Sequence, residues 1–153
     1  MRTVPFLIDS FVREKFADKK DKGGHPYYEH LFRVARNSHL IIGMLHDAIE
    51  DLGTTDQELK SLGCTEKEIK QLHVLSKPRS LSYSEYIDQI ITYALEEKDL
   101  EVLDVKLADL IDNMSVHRLP EVLTDKDFAR LQKYRLAYSK VQCARDKIVD
   151  ELY

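Results

Sequence analysis

The sequence predicts an all-α protein, a bundle of about seven or eight helices. Apolar residues recur at the three- and four-residue spacing of amphipathic helices, and no alternating strand pattern persists. Only 5 Gly and 4 Pro occur among the 153 residues, fewer than a turn-rich β fold would use. A chain of this length, without repeats or a linker, is expected to bury one core as a single domain.

Five helices are predicted in the first half of the chain. Paired glycines after a basic run mark a loop, and Pro26 suits the first turn of the helix that follows. Thr54 or Thr55 can cap a short helix, with Glu58 placed for a capping box, and Thr65 with Glu68 repeats the pattern. The predicted helices run from residue 6 to the basic run at 19–22, then over 26–36, about 40–51, 55–62 and 65–75.

Three further helices are predicted in the second half, over about 82–95, 100–116 and 125–150. Pro78 disfavours helix at the residue before it, so 76–80 is expected to be a loop, and Pro120 breaks the next run. On the middle helix, helical geometry places four apolar residues on one core-facing stripe: Leu103, Leu107, Leu110 and Met114. An adjoining arc carries Lys106, Asp109 and Asn113.

The composition favours a cytoplasmic protein with a small-molecule partner. A net charge of -4 argues against general nucleic-acid binding, which needs a basic face. No stretch approaches the roughly 20 apolar residues of a membrane span, and residues 1–5 do not resemble the start of a signal peptide. Cys64 and Cys143 lack metal or redox spacing and are interpreted as reduced thiols. The long last helix could serve an interface between identical copies as well as the core.

The most informative stretch is the central predicted helix. With His46 at zero on a helical wheel, Glu50 falls at about 40°, Asp47 at about 100° and Asp51 at about 140°. An apolar stripe takes the opposite side: Ile42, Leu45 and Ile49. Three carboxylates and an imidazole are costly to bury unpaired, so this face is either solvated or covers a positive charge. We interpret it as part of a metal site.

Four candidate ligands lie on three predicted helices: His30, His46, Asp47 and Asp109. Such a mixed nitrogen and oxygen set suits a borderline divalent cation such as Mn, Fe, Co, Ni or Zn, and spacing does not choose among them. A divalent ion with open positions can activate water and polarise a phosphoryl oxygen. Glu50 and Asp51, one turn further along, are then free to transfer protons.

These residues resemble a known pattern. A lone His, a His-Asp pair and a distant Asp resemble the metal quartet of the HD phosphohydrolase superfamily. Residues 47–51 (DAIED) closely resemble the hydrolase half of the RelA/SpoT enzymes and the small alarmone hydrolases, in which a Glu-Asp pair follows at this spacing. Residues 20–30 (KDKGGHPYYEH) and 106–113 (KLADLIDN) are similar to two further motifs of that family, in the same order.

The resemblance implies a single HD-type domain over 1–153, with its motifs within about 19–118. It also implies a Mn²⁺-dependent hydrolase that removes pyrophosphate from guanosine 3',5'-bis(diphosphate) (ppGpp) or its pentaphosphate (pppGpp), giving GDP or GTP. The implied metal ligands are His30, His46, Asp47 and Asp109. Glu50 and Asp51 would activate water, and four residues would line the nucleotide pocket: Lys19, Lys20, Lys106 and Asn113.

Two positions differ from the family pattern, and they bear on the substrate. Leu31 replaces the usual Pro after the first ligand, and Leu110 replaces the usual Arg after the last. A different HD phosphohydrolase, cleaving a nucleoside mono- or triphosphate or a cyclic nucleotide, is therefore an alternative. A second alternative is a binding module for which the nucleotide is a ligand and not a substrate.

Simpler structural roles also exist for each residue. His30 could pack on Tyr27, residues 46–47 could form a surface pair, and Asp109 could form an i, i+3 ion pair with Lys106. Residues 50–51 could be polar groups at a helix end, although carboxylates there oppose the helix dipole. Asn113 could favour a helix terminus, and the basic run at 19–22 could be a solvated helix end.

Overall fold

The computed structural model describes residues 6–153, and within this range it contains nine α-helices, a short 3-10 helix and no β-strand. The expectation about a signal peptide falls on residues 1–5, outside the described part. The all-α prediction is confirmed. The helices are α1 (Phe6–Lys15), α2 (Tyr27–Ser38), α3 (Ile42–Leu45), α4 (Ala48–Leu52), α5 (Asp56–Ser61), α6 (Glu66–Leu75), α7 (Tyr83–Glu97), α8 (Leu100–Asn113) and α9 (Asp125–Leu152), with the 3-10 helix at Val116–Arg118.

The predicted central helix at 40–51 is not continuous, and this expectation was wrong. The α-helix stops after α3 and resumes with α4, and the two residues between them are His46 and Asp47. Asp47 has φ −101° and ψ 0°, in the sparsely populated bridge region where many active-site residues lie. The regular helical wheel drawn from the sequence therefore does not describe this stretch.

Local sequence signals account well for the helix ends. The capping boxes predicted at Thr55 and Thr65 are confirmed, each with its glutamate three residues later. Equivalent capping boxes at Ser82 and Thr124 begin α7 and α9. Gly53 ends α4 with φ +65°, a left-handed conformation that glycine adopts without steric strain.

The core lies where α2 packs against α3 and α8, and α8 packs against α9. The predicted stripe of α8 is largely confirmed, since Leu103 and Leu110 are fully buried. For α1, the spacing of the apolar residues predicts a stripe of Phe6, Leu7, Phe11 and Phe16. Phe16, just after the helix, is buried, but Phe6 and Leu7 are exposed, and Ile8 and Val12 are buried in their place. The apolar residues of the last helix are likewise expected to pack, yet Phe128 and Leu136 are exposed. None of the helices in 6–153 combines the length and apolarity that crossing a membrane requires.

Gly43 permits the close contact between α2 and α3 that brings the candidate ligands together. A Cβ atom at this position would lie 2.7 Å from both the N and the Cα atom of Ala35. No side chain fits in that space, so only glycine allows α3 to lie this close to α2. His30 on α2 and His46 at the end of α3 consequently face one another, with ring centroids 5.3 Å apart.

Candidate active site

The structure brings together the four side chains that were predicted as metal ligands, and we call them the His/Asp cluster (His30, His46, Asp47 and Asp109). Oδ1 of Asp109 lies 3.2 Å from Nε2 of His30 and 3.3 Å from Nε2 of His46. Oδ2 of Asp47 lies 3.2 Å from Nε2 of His46 and 3.9 Å from Nε2 of His30. His30, His46 and Asp47 also meet the distance criterion for a group that could hold a metal ion.

Two of the four residues are adjacent and lie at the break between α3 and α4. His46 keeps helical backbone angles, φ −60° and ψ −24°, whereas Asp47 departs from them. Nε2 of His46 and Oδ2 of Asp47 lie 3.2 Å apart, so both side chains enter the cluster. The cluster therefore takes two adjacent residues at a point where the α-helix is interrupted.

The two histidines present the same nitrogen to the cluster. Nδ1 of His30 lies 2.6 Å from Oδ2 of Asp112, and Nδ1 of His46 lies 2.7 Å from the carbonyl oxygen of Gly43. Because these oxygens accept hydrogen bonds, each Nδ1 is assigned as the protonated nitrogen, which leaves a lone pair on each Nε2. Both Nε2 atoms are buried and have no hydrogen-bond partner among residues 6–153, since the nearby carboxylates lie outside hydrogen-bond geometry.

With each Nε2 unprotonated, the cluster is a set of electron-pair donors, and Lys106 beside Asp109 balances only part of its negative charge. Burial would lower the pKa of His46, but the carboxylates of Asp47 and Asp109 raise it well above its usual value. Burial would likewise raise the pKa of Asp109, whereas Lys106 and His46 hold it well below its usual value. Two imidazole nitrogens and two carboxylates around one point fit a borderline divalent cation in both charge and chemistry.

Three other side chains hold the carboxylates in place. The hydroxyl group of Tyr27 donates to Oδ2 of Asp47 at 2.6 Å, and burial is the largest cause of a strongly raised pKa for this tyrosine. Nζ of Lys106 donates to Oδ2 of Asp109 at 2.8 Å, and Nδ2 of Asn113 donates to Oδ1 of the same residue at 2.8 Å. The Lys106–Asp109 ion pair is buried, and not the exposed pair that the simpler explanation required.

Asp112 is a residue that the sequence analysis missed. Its carboxylate accepts from Nδ1 of His30 and from the guanidinium of Arg33, at 2.7 Å from Nε, and forms an ion pair of 3.1 Å with Arg118. Burial would raise the pKa of Asp112, but its bonds to His30 and Arg33 lower it strongly. A carboxylate that holds the second nitrogen of a ligand histidine is common in metal sites. The available signal was its position three residues after Asp109 on one helix.

The two predicted catalytic carboxylates occupy different surroundings. Glu50 lines the cleft beside the cluster, and its Oε1 accepts from the backbone N–H of Lys77 at 2.6 Å. Burial raises the pKa of Glu50, and the Lys77 hydrogen bond opposes this only in part. Asp51 is outside the cleft lining and pairs with the ammonium group of Lys19, which does line it.

A cleft of about 410 Å³ opens over the cluster and is strongly charged. The four residues predicted to bind the nucleotide all line it: Lys19, Lys20, Lys106 and Asn113. Further cations that the sequence analysis did not assign to a pocket line it as well: Lys22, Lys77, Arg118, Arg130 and Lys133. Six carboxylates line the cleft as well, four of them outside the pair Asp47 and Asp109 of the cluster. A volume of this size suits a small-molecule ligand, and the excess of eight cations over six carboxylates favours an anionic one.

The comparisons with known proteins support the fold. The structure of a metazoan ortholog of SpoT, a protein that hydrolyzes ppGpp and plays a role in starvation responses, is similar to this one with a TM-score of 0.70. The similarity covers 99% of this chain and 97% of that chain, at 17% sequence identity. The predicted HD-type helical bundle is confirmed as the fold. No protein-family model and no curated protein matches the sequence.

Proposed function

We propose that this chain is a divalent-metal-dependent phosphohydrolase that removes pyrophosphate from ppGpp or pppGpp. The observation that carries the proposal is the His/Asp cluster, in which two buried imidazole nitrogens have no hydrogen-bond partner among residues 6–153. Further support comes from the fold shared with a protein that hydrolyzes ppGpp, and from a cationic cleft over the cluster. We also propose that residues 1–153 act as one domain in the cytoplasm.

The His/Asp cluster would hold the metal, and Mn²⁺ is the ion we favour. When bound, such an ion supplies Lewis-acid polarisation of a phosphoryl oxygen and a lower pKa for a coordinated water. Tyr27, Lys106 and Asn113 would keep the carboxylate ligands in place, and Asp112 would do the same for His30. These contacts already exist among the chain's own residues, so little rearrangement is needed for binding.

The chain's own carboxylates would handle the protons of the reaction. The water oxygen bonds to the phosphorus next to the 3' oxygen of the nucleotide, and the bond between that phosphorus and the 3' oxygen breaks. Glu50 takes one proton from the attacking water, and the 3' oxygen leaves as a hydroxyl group with a proton that the protonated Glu50 returns, directly or through a water molecule. The raised pKa of Glu50 brings its basicity closer to what a general base needs near neutral pH.

Asp51 and Lys19 would act as a pair at the same edge of the cleft. Their ion pair holds the ammonium group over the ring of Tyr27, 4.0 Å from the ring centroid. Lys19 would then contact the departing diphosphate, together with Lys20. Whether Asp51 itself moves a proton stays a prediction, and its Asn variant tests it below.

The direct test is product analysis with purified protein. Guanosine 3',5'-bis(diphosphate) is incubated with Mn²⁺, Mg²⁺, Zn²⁺ or chelator in parallel, and GDP and pyrophosphate are quantified. We expect both products in equal amounts with Mn²⁺ and none with chelator. His46→Gln is the matched control, because it removes one ligand nitrogen and should eliminate turnover.

The alternatives predict different results in the same assay. Equal or better turnover of a deoxynucleoside triphosphate or a cyclic nucleotide would contradict the proposed substrate and identify another HD phosphohydrolase. Tight binding of the nucleotide without any turnover, at every metal tested, would indicate a binding module. In that case Glu50→Gln would leave the cellular function of the protein unchanged.

A further inference from the structure

Tyr86 of α7 is a buried residue whose hydroxyl group fixes the end of another helix. Only 5% of its surface is exposed, at the wall of the cleft. The hydroxyl group donates to the backbone carbonyl oxygen of Leu75, the last residue of α6. Burial raises the pKa of this hydroxyl far above its ordinary value, so the group stays protonated and able to donate. The hydrogen bond therefore ties the end of α6 to α7.

The chain that follows α6 leads directly to the proposed general base. The backbone N–H of Lys77, two residues beyond the helix, donates to Oε1 of Glu50 at 2.6 Å. Residues 76–81 form neither helix nor strand, and the capping box of Ser82 fixes their far end to α7. Because Tyr86 fixes the near end, both ends of this segment are held by the first turn of α7. The position of the Glu50 carboxylate thus depends on contacts made by α7.

The ring of Tyr86 makes a second contact, which is separate from that of its hydroxyl group. Nζ of Lys106 lies 5.0 Å from the ring centroid, and the same ammonium group donates to Asp109 of the His/Asp cluster. The ring therefore supports the metal side of the site, whereas the hydroxyl group supports the proton-transfer side. The two contacts can be removed one at a time, since phenylalanine keeps the ring and lacks the hydroxyl.

We infer that Tyr86 is a positioning residue for Glu50: its hydroxyl group holds the end of α6, so that the Lys77 N–H keeps the Glu50 carboxylate in place. The inference rests on the proposed function, in which Glu50 takes a proton from the attacking water. In this role Tyr86 touches neither the water nor the reacting phosphate and acts only through Glu50. A base is most effective when its position is fixed before the substrate binds.

The kinetic test uses Tyr86→Phe, which removes only the hydroxyl group. We expect kcat to fall by about tenfold, a part of the about 10²- to 10⁴-fold contribution of a general base, with KM and Mn²⁺ affinity unchanged. Tyr86→Leu, which also removes the ring, should lower Mn²⁺ affinity by about tenfold in addition. Tyr93→Phe is the matched control, because Tyr93 lies on the same helix and also contacts a lysine, but outside the cleft. An unchanged kcat in Tyr86→Phe overturns the inference.

A double-variant cycle shows whether Tyr86 acts through Glu50 or through the stability of the whole site. In Glu50→Gln the base is absent, so its position no longer affects the rate. We expect Tyr86→Phe to leave the residual kcat of Glu50→Gln unchanged, although it lowers the kcat of the parent protein. An equal fall in both backgrounds overturns the inference, because Tyr86 would then act on another group or on folding.

Amide hydrogen exchange measured by NMR on chelator-treated protein tests the same contact without turnover. The Lys77 N–H should exchange about fivefold faster in Tyr86→Phe than in the parent, as expected when one supporting hydrogen bond is lost. The Thr55 N–H, which also donates to a glutamate, should not change. Equal exchange at Lys77 in the two proteins overturns the inference even if turnover is normal. Absence of turnover in the parent, with faster exchange in the variant, overturns the proposed reaction and leaves the positioning of Glu50 standing.

Discussion

The His/Asp cluster and two exposed lysines of the same cleft, Lys22 and Lys133, are held in opposite ways. In the cluster, each candidate ligand is held by at least one further residue, and the histidines are almost completely buried. The two lysines are exposed and have no ion-pair partner in the described part of the chain. A reacting centre needs fixed geometry, whereas a polyphosphate can be bound by flexible point charges.

This difference predicts how the cluster and the exposed lysines each respond to substitution. Because the cluster is held by a connected set of hydrogen bonds, removing one member should disturb the others. The two exposed lysines lack such connections, so the effects of replacing them should be graded and largely confined to KM. The following predictions test this contrast, beginning with the largest effect.

Asp109→Asn should have the largest effect. It removes a ligand carboxylate and changes the partner of both Lys106 and Asn113. Even partners outside the ligand set cost metal affinity by about 10- to 100-fold when removed, so we expect more than about 100-fold here, with no measurable turnover. Calorimetric titration of Mn²⁺ measures the affinity, and unchanged affinity would exclude Asp109 as a ligand.

Glu50→Gln should leave the metal in place and reduce kcat. Loss of a general base lowers the rate by about 10²- to 10⁴-fold, while Mn²⁺ affinity should stay within error of the parent. Asp51→Asn, assayed in parallel, distinguishes the role of Asp51 in the reaction from that of Glu50. A fall in kcat equal to that of Glu50→Gln would indicate that Asp51 transfers a proton, whereas a rise in KM alone would indicate that it acts by holding Lys19.

Asp112→Asn should weaken metal binding by about 10- to 100-fold, with kcat restored at high Mn²⁺ concentration. The Asp112 carboxylate orients the ring of His30. Replacing it with an amide should leave that ring less well oriented, without removing a candidate ligand. Asp104→Asn is the matched control, because Asp104 also lies on α8 and also pairs with an arginine, but away from the cleft. Equal metal affinity in the two variants would show that Asp112 serves only packing.

The pH dependence of kcat at saturating Mn²⁺ should show an acid limb due to Glu50. A base works only when ionised, so the rate falls as pH decreases through its pKa. Burial raises the pKa of Glu50, and we expect the midpoint to lie above the usual value for glutamate. The residual activity of Glu50→Gln should lack this limb; a limb that persists unchanged would belong to another group. Lys133→Gln should have the smallest effect, a rise in KM with little change in kcat, because Lys133 lines the cleft without holding a residue of the cluster.

The sequence predicts well what depends on local signals. Capping boxes fix helix starts through hydrogen bonds that span three residues, so Thr55 and Thr65 were identified correctly. The candidate ligands were found because their residue types and order resemble a known pattern, and the fold brings them together. In α1, the spacing of apolar residues does not predict which face is buried. Its sequence offers two apolar faces, and packing against the rest of the protein selects the one with Ile8 and Val12.

What the sequence did not predict depends on contacts between distant elements. No glycine or proline lies at the break itself, at His46 and Asp47. Gly43, three residues earlier, packs closely against Ala35 of α2, but the sequence alone does not show this contact. The role of Asp112 depends on how α2 packs against α8. The place of Lys133 in the cleft depends on α9 lying against α7, where its Nζ is 4.6 Å from the ring centroid of Tyr83.

The central claim, that His30 and His46 present their Nε2 atoms to one divalent cation, can be tested by pulsed electron paramagnetic resonance on the Mn²⁺-loaded protein. Electron spin echo modulation reports nitrogen nuclei coordinated to the ion. The account predicts modulation from two imidazole nitrogens in the parent protein, and from one in His46→Gln. Bound Mn²⁺ without nitrogen modulation, or a signal unchanged in His46→Gln, would contradict it.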